Sequence, residues 1–135
     1  MMLDKFRLAL GIWVRFIRVK ALLRSGNVAA VVKTLSVAPD VPRRRRNPVN
    51  QGRAIWKALS FGPVRARCLP IALVQYRFLI EQGRSAQLVI GIPEESESID
   101  AHAWVEIDGI DVGPPPGRGG RLVMARYGPE GPEGP

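Results

Sequence analysis

An α+β fold is predicted for this chain, with its helices first and its strands last. Apolar residues recur at helical spacing as far as Gly83, and from Ala86 onward short apolar runs alternate or sit between turn signals. The two patterns are segregated along the chain and not interleaved, which argues against a parallel βαβ sheet. A length of 135 residues, 46% apolar and 24% charged, suits one ordinary globular domain.

The elements follow in order. Residues 2–24 read as an amphipathic helix, because Leu3, Phe6, Leu10, Trp13, Ile17 and Ala21 fall on one stripe with basic residues mostly between them. After the Ser25–Gly26–Asn27 break a second short helix is expected over Val28–Leu35. Pro39, Pro42 and Pro48 punctuate Ala38–Pro48 as a linker that carries the run Arg43–Arg46. A third helix is expected over 51–60, with Trp56. The strongest signal lies between Cys68 and Gly83. Leu69, Ala72, Leu73, Tyr76, Leu79 and Ile80 form an apolar stripe, Pro70 suits a first turn, and Gly83 suits a C-terminal cap.

A strand Ala86–Ile92 follows, whose Leu88–Val89–Ile90 run predicts burial on both faces. Pro93–Asp100 is an acidic loop. His102–Ile107 alternates as a strand, Asp108–Gly109 turns it, and Ile110–Val112 starts the return. Pro114–Gly120 is irregular, and Leu122–Tyr127 is a last short strand. The Gly-Pro-Glu tail has little to bury and is expected to be disordered. The expected organisation is a helical region 1–40, a basic linker 41–50, a catalytic domain 51–127 and a tail 128–135.

Charge is distributed unevenly. Residues 1–53 hold 12 Lys and Arg against Asp4 and Asp40, a net of +10, whereas residues 54–135 carry a net of −2. The basic third therefore calls for an acidic partner. Nucleic acid is not expected, since no aromatic or base-reading residues interleave with Arg43–Arg46, and the run reads as a solvated linker. Arg7, Arg15, Arg18 and Lys20 interrupt the N-terminal apolar residues, so neither a signal peptide nor a membrane span is expected. With a single cysteine there is no internal disulfide, and a cytoplasmic location is the expectation.

That cysteine carries the chemistry. A helix N-terminus favours a thiolate through its unpaired N–H groups and positive dipole end, and Cys68 sits at one, with Arg65 and Arg67 before it. The only histidine, His102, opens a strand 34 positions later. Nucleophile on a helix head and base on a facing strand is the arrangement thiol peptidases need. The plain alternatives are a cysteine that is a small buried hydrophobe and a histidine that is structural. One Cys and one His cannot complete a zinc shell, so no metal is expected. Trp104 shares the strand face of His102, which favours a wall of the active-site cleft over the other open reading, a plain core position; Glu106 shares that face too and is read as a solvated strand end.

Arg67-Cys68-Leu69-Pro70, the helix ending near Gly83, the strand Leu88–Ile92 with Gly91, and Ala101-His102-Ala103-Trp104-Val105-Glu106 together resemble one family. It is the lasso peptide leader peptidases, a bacterial branch of the transglutaminase-like cysteine peptidases. The resemblance spans 50–127, with a weaker likeness over 1–40. It implies a transglutaminase-like or papain-like fold and removal of the leader from a ribosomally made precursor peptide by Cys68 and His102. It also implies a leader-binding recognition protein and an asparagine-synthetase-like cyclase as partners. ATP dependence is described for some members, although no Gly-rich phosphate loop is visible here. The other readings are an acyltransferase of the same superfamily and a non-catalytic peptide-binding scaffold.

One departure stands out. The family places an Asp about a dozen residues after the His to orient it, and that position here is Pro114. Asp111 is a weak substitute. With a three-residue hairpin loop, His102 pairs with Pro114 and Asp111 faces the opposite side. With a two-residue turn, Asp111 pairs with Glu106 and lies about 13 Å along the strand from His102. Gln87 is a further candidate for an orienting group.

Overall fold

The computed structural model describes residues 2–60, 68–92, 102–114 and 122–133. Four helices precede a five-stranded antiparallel sheet: α1 (Met2–Ser25), α2 (Val28–Leu35), α3 (Pro48–Ser60), α4 (Cys68–Glu81), β1 (Ala86–Ile92), β2 (His102–Ile107), β3 (Ile110–Gly113), β4 (Leu122–Gly128) and β5 (Gly131–Glu133). The sheet order is β3-β2-β1-β4-β5, with the most apolar strand at its centre. Leu88 and Val89 of that strand are fully buried, as the uninterrupted apolar run predicts. Among the described residues no helix is long and apolar enough to cross a membrane.

α4 is the axis of the molecule. A helix that is apolar around its whole circumference must be buried, and α4 is enclosed by the sheet on one side and by α1, α2 and α3 on the other. It ends on Gly83, at φ 75°, where Arg84 N–H donates to Leu79 O at 3.0 Å and Gly83 N–H to Ile80 O. These are the bonds of a Schellman cap. Side chains then fasten the neighbouring helices to α4. Gln75 Nε2 donates to Pro48 O at the head of α3 and to Val112 O in β3, and Tyr76 Oη lies 2.7 Å from Ser36 Oγ after α2.

At the far end of α4 the buried Glu81 carboxylate takes three guanidinium groups. Arg15 of α1 grips both its oxygens, Arg77 bonds Oε2 at 2.9 Å, and Arg43 reaches Oε1 at 3.1 Å. Arg43 N–H also donates to Glu81 O at 2.8 Å, and the guanidinium of Arg45 reaches Gln82 O. The arginine run, expected as a plain solvated linker, is therefore strapped along the end of α4 while its side chains stay exposed.

α3 begins three residues earlier than the pattern predicts, because Asn47 Oδ1 caps Asn50 N–H at 3.0 Å and Pro48 fills the first helical position. α1 has the predicted span but turns a different face inward. Ile12, Phe16 and Val19 enter the core, whereas Leu3, Phe6, Leu10 and Ile17, most of the expected stripe, stand in solvent together with Val14 at 55–65% exposure. Trp13 lies between the two faces, edge-on to Phe16. β5, within the tail expected to be disordered, pairs with β4 through Tyr127↔Pro132 and Arg126↔Glu133. An edge strand tolerates Pro and Gly, since only one side needs its hydrogen bonds.

The two faces of the sheet differ. Ala86, Leu88, Ala103, Val105 and Val112 join the core shared with the helices, with Ile90, Ile107 and Tyr127 packed at its border. The alternate residues, His102, Trp104 and Glu106 on β2 and Gln87, Val89 and Gly91 on β1, belong to the opposite face.

Candidate active site

Cys68 is the first residue of α4, half-buried, with its side chain at the edge of the core. The opening N–H groups of a helix have no partner within it, and Pro70 supplies none. The N–H groups of this first turn that no carbonyl of α4 accepts are those of Cys68 and Leu69.

Topology brings His102 to the same end. α4 is roughly 20 Å long. After the reversal at Gly83, β1 runs back by a similar length and ends level with the head of α4. There Gly91 pairs with His102 in the antiparallel ladder. The strand alternation adds a condition. Ala103 faces α4, so His102, next to it, belongs to the other face, and Cys68 borders the α4 side. Because His102 is terminal in its strand, the two side chains can meet only around the strand end.

On the His102 face lies a group the sequence did not reveal. Trp104 Nε1 donates to Glu106 Oε2 at 2.8 Å, and Arg126 of β4, reached across Val89, pairs with Glu106 Oε1. Glu106 is thus buried and doubly satisfied, not a solvated strand end. Trp104 is 1% exposed and backs the face instead of walling an open cleft. The outer edge of its ring meets Gly91: a Cβ there would stand 2.8 Å from the ring and 2.8 Å from Leu122 O. Trp and Glu two apart on one strand are visible in the sequence; the Arg126 partner, 20 positions away, is not.

The hairpin fixes the register between β2 and β3. Asp108 and Gly109 both have positive φ, 53° and 79°, which is the two-residue type I′ turn that Asp-Gly favours. Glu106 therefore pairs with Asp111, and a bulge follows, so that Val105 pairs with Gly113. Asp111 Oδ1 accepts the Gly113 N–H at 2.8 Å, a bond that belongs to the bulge. Asp111 lies four residues along from His102, about 13 Å. Gln87 is no nearer: it pairs with Glu106, at the far end of β1 from Gly91. Pro114, next after Gly113, comes level with Trp104 and not, as the longer loop predicted, with His102. Arg65, Arg67, Ala101 and residues 93–100 and 115–120 lie outside the described residues.

Two adjoining clefts, of about 380 and 530 Å³, lie at the opposite end of α4, between the start of α1, the arginine run and the head of α3. Neither touches Cys68 or His102.

No curated protein and no solved structure matches the chain. A family model, that of the transglutaminase-like superfamily, matches residues 13–123. This span runs from within α1 to the start of β4 and takes in the second half of α1, the other three helices, Cys68 and His102. The superfamily commonly comprises cysteine peptidases and acyltransferases, and this chain belongs to it.

Proposed function

We propose that the protein is a thiol hydrolase that removes the leader from a ribosomally made lasso precursor peptide in the cytoplasm. The observation that carries the chemistry is the arrival of a helix-head cysteine and a strand-head histidine at one end of the α4–sheet layer. His102 takes the Cys68 proton, and Sγ attacks the scissile carbonyl. Backbone N–H groups at the head of α4 hold the oxyanion. The imidazolium returns the proton to the leaving amine, and water then cleaves the thioester. Trp104, anchored by Glu106 and Gly91, supports the His102 end of β2. The imidazole turns around the end of β2 toward Sγ. The leader-binding protein and the cyclase implied by the sequence resemblance supply the substrate and consume the freed amine. No Gly-rich phosphate loop exists in the sequence, and no step is assigned to a nucleotide.

The Pro114 position supports a second reading, a non-catalytic peptide-binding scaffold, because the orienting carboxylate is missing there. Incubation of a leader-bearing precursor with this protein and the leader-binding partner, read by mass spectrometry, separates the two. Loss of the leader mass with wild type but not with Cys68→Ala supports the hydrolase. An intact precursor with both supports the scaffold. Transfer of the acyl group to an added peptide amine in preference to water, with little hydrolysed product, would reassign the reaction to acyl transfer.

A further inference from the structure

α1 is amphipathic twice over. One apolar face is spent on the core, and the second, Leu3, Phe6, Leu10, Val14 and Ile17, lies open along the length of the helix. Arg7, Arg18, Lys20 and Arg24 border this stripe, with Asp4 the only acid on the helix. Beside its N-terminal half lies the arginine cleft, to which Arg7, Arg44 and Arg46 contribute. Arg15 and Arg43 in that cleft are committed to Glu81. Arg7, Arg44 and Arg46 make no ion pair among the described residues.

We infer that this surface docks an acidic amphipathic helix of another protein, its apolar face on the α1 stripe and its carboxylates on Arg7, Arg44 and Arg46. Charge excludes the simplest alternative, a second copy, since two such faces would bring like charges together. A bilayer would cover the stripe but, being flat, would leave the neighbouring cleft unfilled, whereas a helix with projecting carboxylates fills both. The five apolar residues span about four turns, so an occupant of roughly 15–20 residues matches them. The inference does not rest on the thiol chemistry, because the arginine cleft lies at the Glu81 end of α4, roughly 20 Å from Cys68.

The test uses the full chain and a fluorescein-labelled synthetic 20-residue helix with Leu on one face and Glu on its flanks. Its controls are the same peptide with Lys for Glu and vesicles of phosphatidylcholine with phosphatidylglycerol. Anisotropy should show binding of the Glu peptide, weaker by about tenfold or more for the Lys peptide and falling as salt is raised. Leu10→Asp with Ile17→Asp, and separately Arg44→Glu with Arg46→Glu, should each weaken it by about tenfold or more. These side chains are exposed, so the melting temperature of each variant should stay close to wild type. Equal affinity for both peptides, unaltered affinity in either variant, or vesicle binding without peptide binding would overturn the inference.

Discussion

Cys68 is the chain's only thiol and the first residue of its most buried helix, so no neighbouring group can stand in for it. Cys68→Ala should leave no measurable turnover while the fold persists, because the side chain is only half-buried; retained precursor cleavage by a folded alanine variant would remove the thiol from the mechanism. Asp111 predicts the contrary pattern. Its Oδ1 holds the Gly113 N–H, and asparagine keeps an oxygen at the same place. Asp111→Asn should therefore cost less than about tenfold in cleavage, where amidation of an orienting Asp in a serine peptidase costs about 10⁴-fold. A loss of that larger size would mean that Asp111 reaches His102 in the working enzyme. Gly91 is the third residue with a sharp expectation. A methyl group there meets the Trp104 ring and the Leu122 carbonyl, and Gly91→Ala should cost about 1–3 kcal/mol by overpacking. Denaturant melts measure this, and unchanged stability would show that the ring moves aside freely.

Among the elements, α4 and α1 are joined by the Glu81 cluster. Arg15 and Arg77 are themselves largely buried, so Glu81→Leu leaves two guanidinium groups without a counter-charge and should destabilise by about 3 kcal/mol or more. A melt like that of wild type would show that solvent already satisfies them. The same packing changes what truncation means. Ile12, Phe16 and Val19 belong to the common core, so deletion of residues 1–40 removes core as well as a surface. Surface substitutions are the informative variants. The element boundaries were legible in the sequence wherever a periodic run met a capping residue, as at Asn27, Gly83 and Asp108–Gly109. The orientation of α1 was not. Its residues 3, 6, 10, 14, 17 and 8, 12, 16, 19 make two apolar stripes, and periodicity cannot say which one a sheet and three other helices will cover. β5 escaped for the opposite reason: Gly131–Glu133 has no apolar pattern, and no side-chain periodicity announces its backbone pairing with β4.

Taken whole, the molecule is a buried helix between three others and a sheet, with the cysteine and histidine at one end and the arginine surface at the other. Cys68 and His102 were legible because each is unique of its type and each heads an element. The Glu106–Arg126 pair and the Arg15–Glu81 bond were not, since they join positions 20 and 66 apart, which the fold alone brings together. The register of the β2–β3 hairpin was narrowed to two possibilities by the Asp-Gly pair, and the bulge at Asp111 completed it. The central claim is that the thiol of Cys68 is activated by His102 around the end of β2. Its most direct test needs no substrate: the rate of iodoacetamide alkylation at pH 7, followed by intact mass, in wild type and His102→Ala. Activation predicts a single adduct at Cys68, formed faster than on a free model thiol, and a rate about tenfold or more lower in the His102→Ala protein. Equal rates in the two proteins would contradict it.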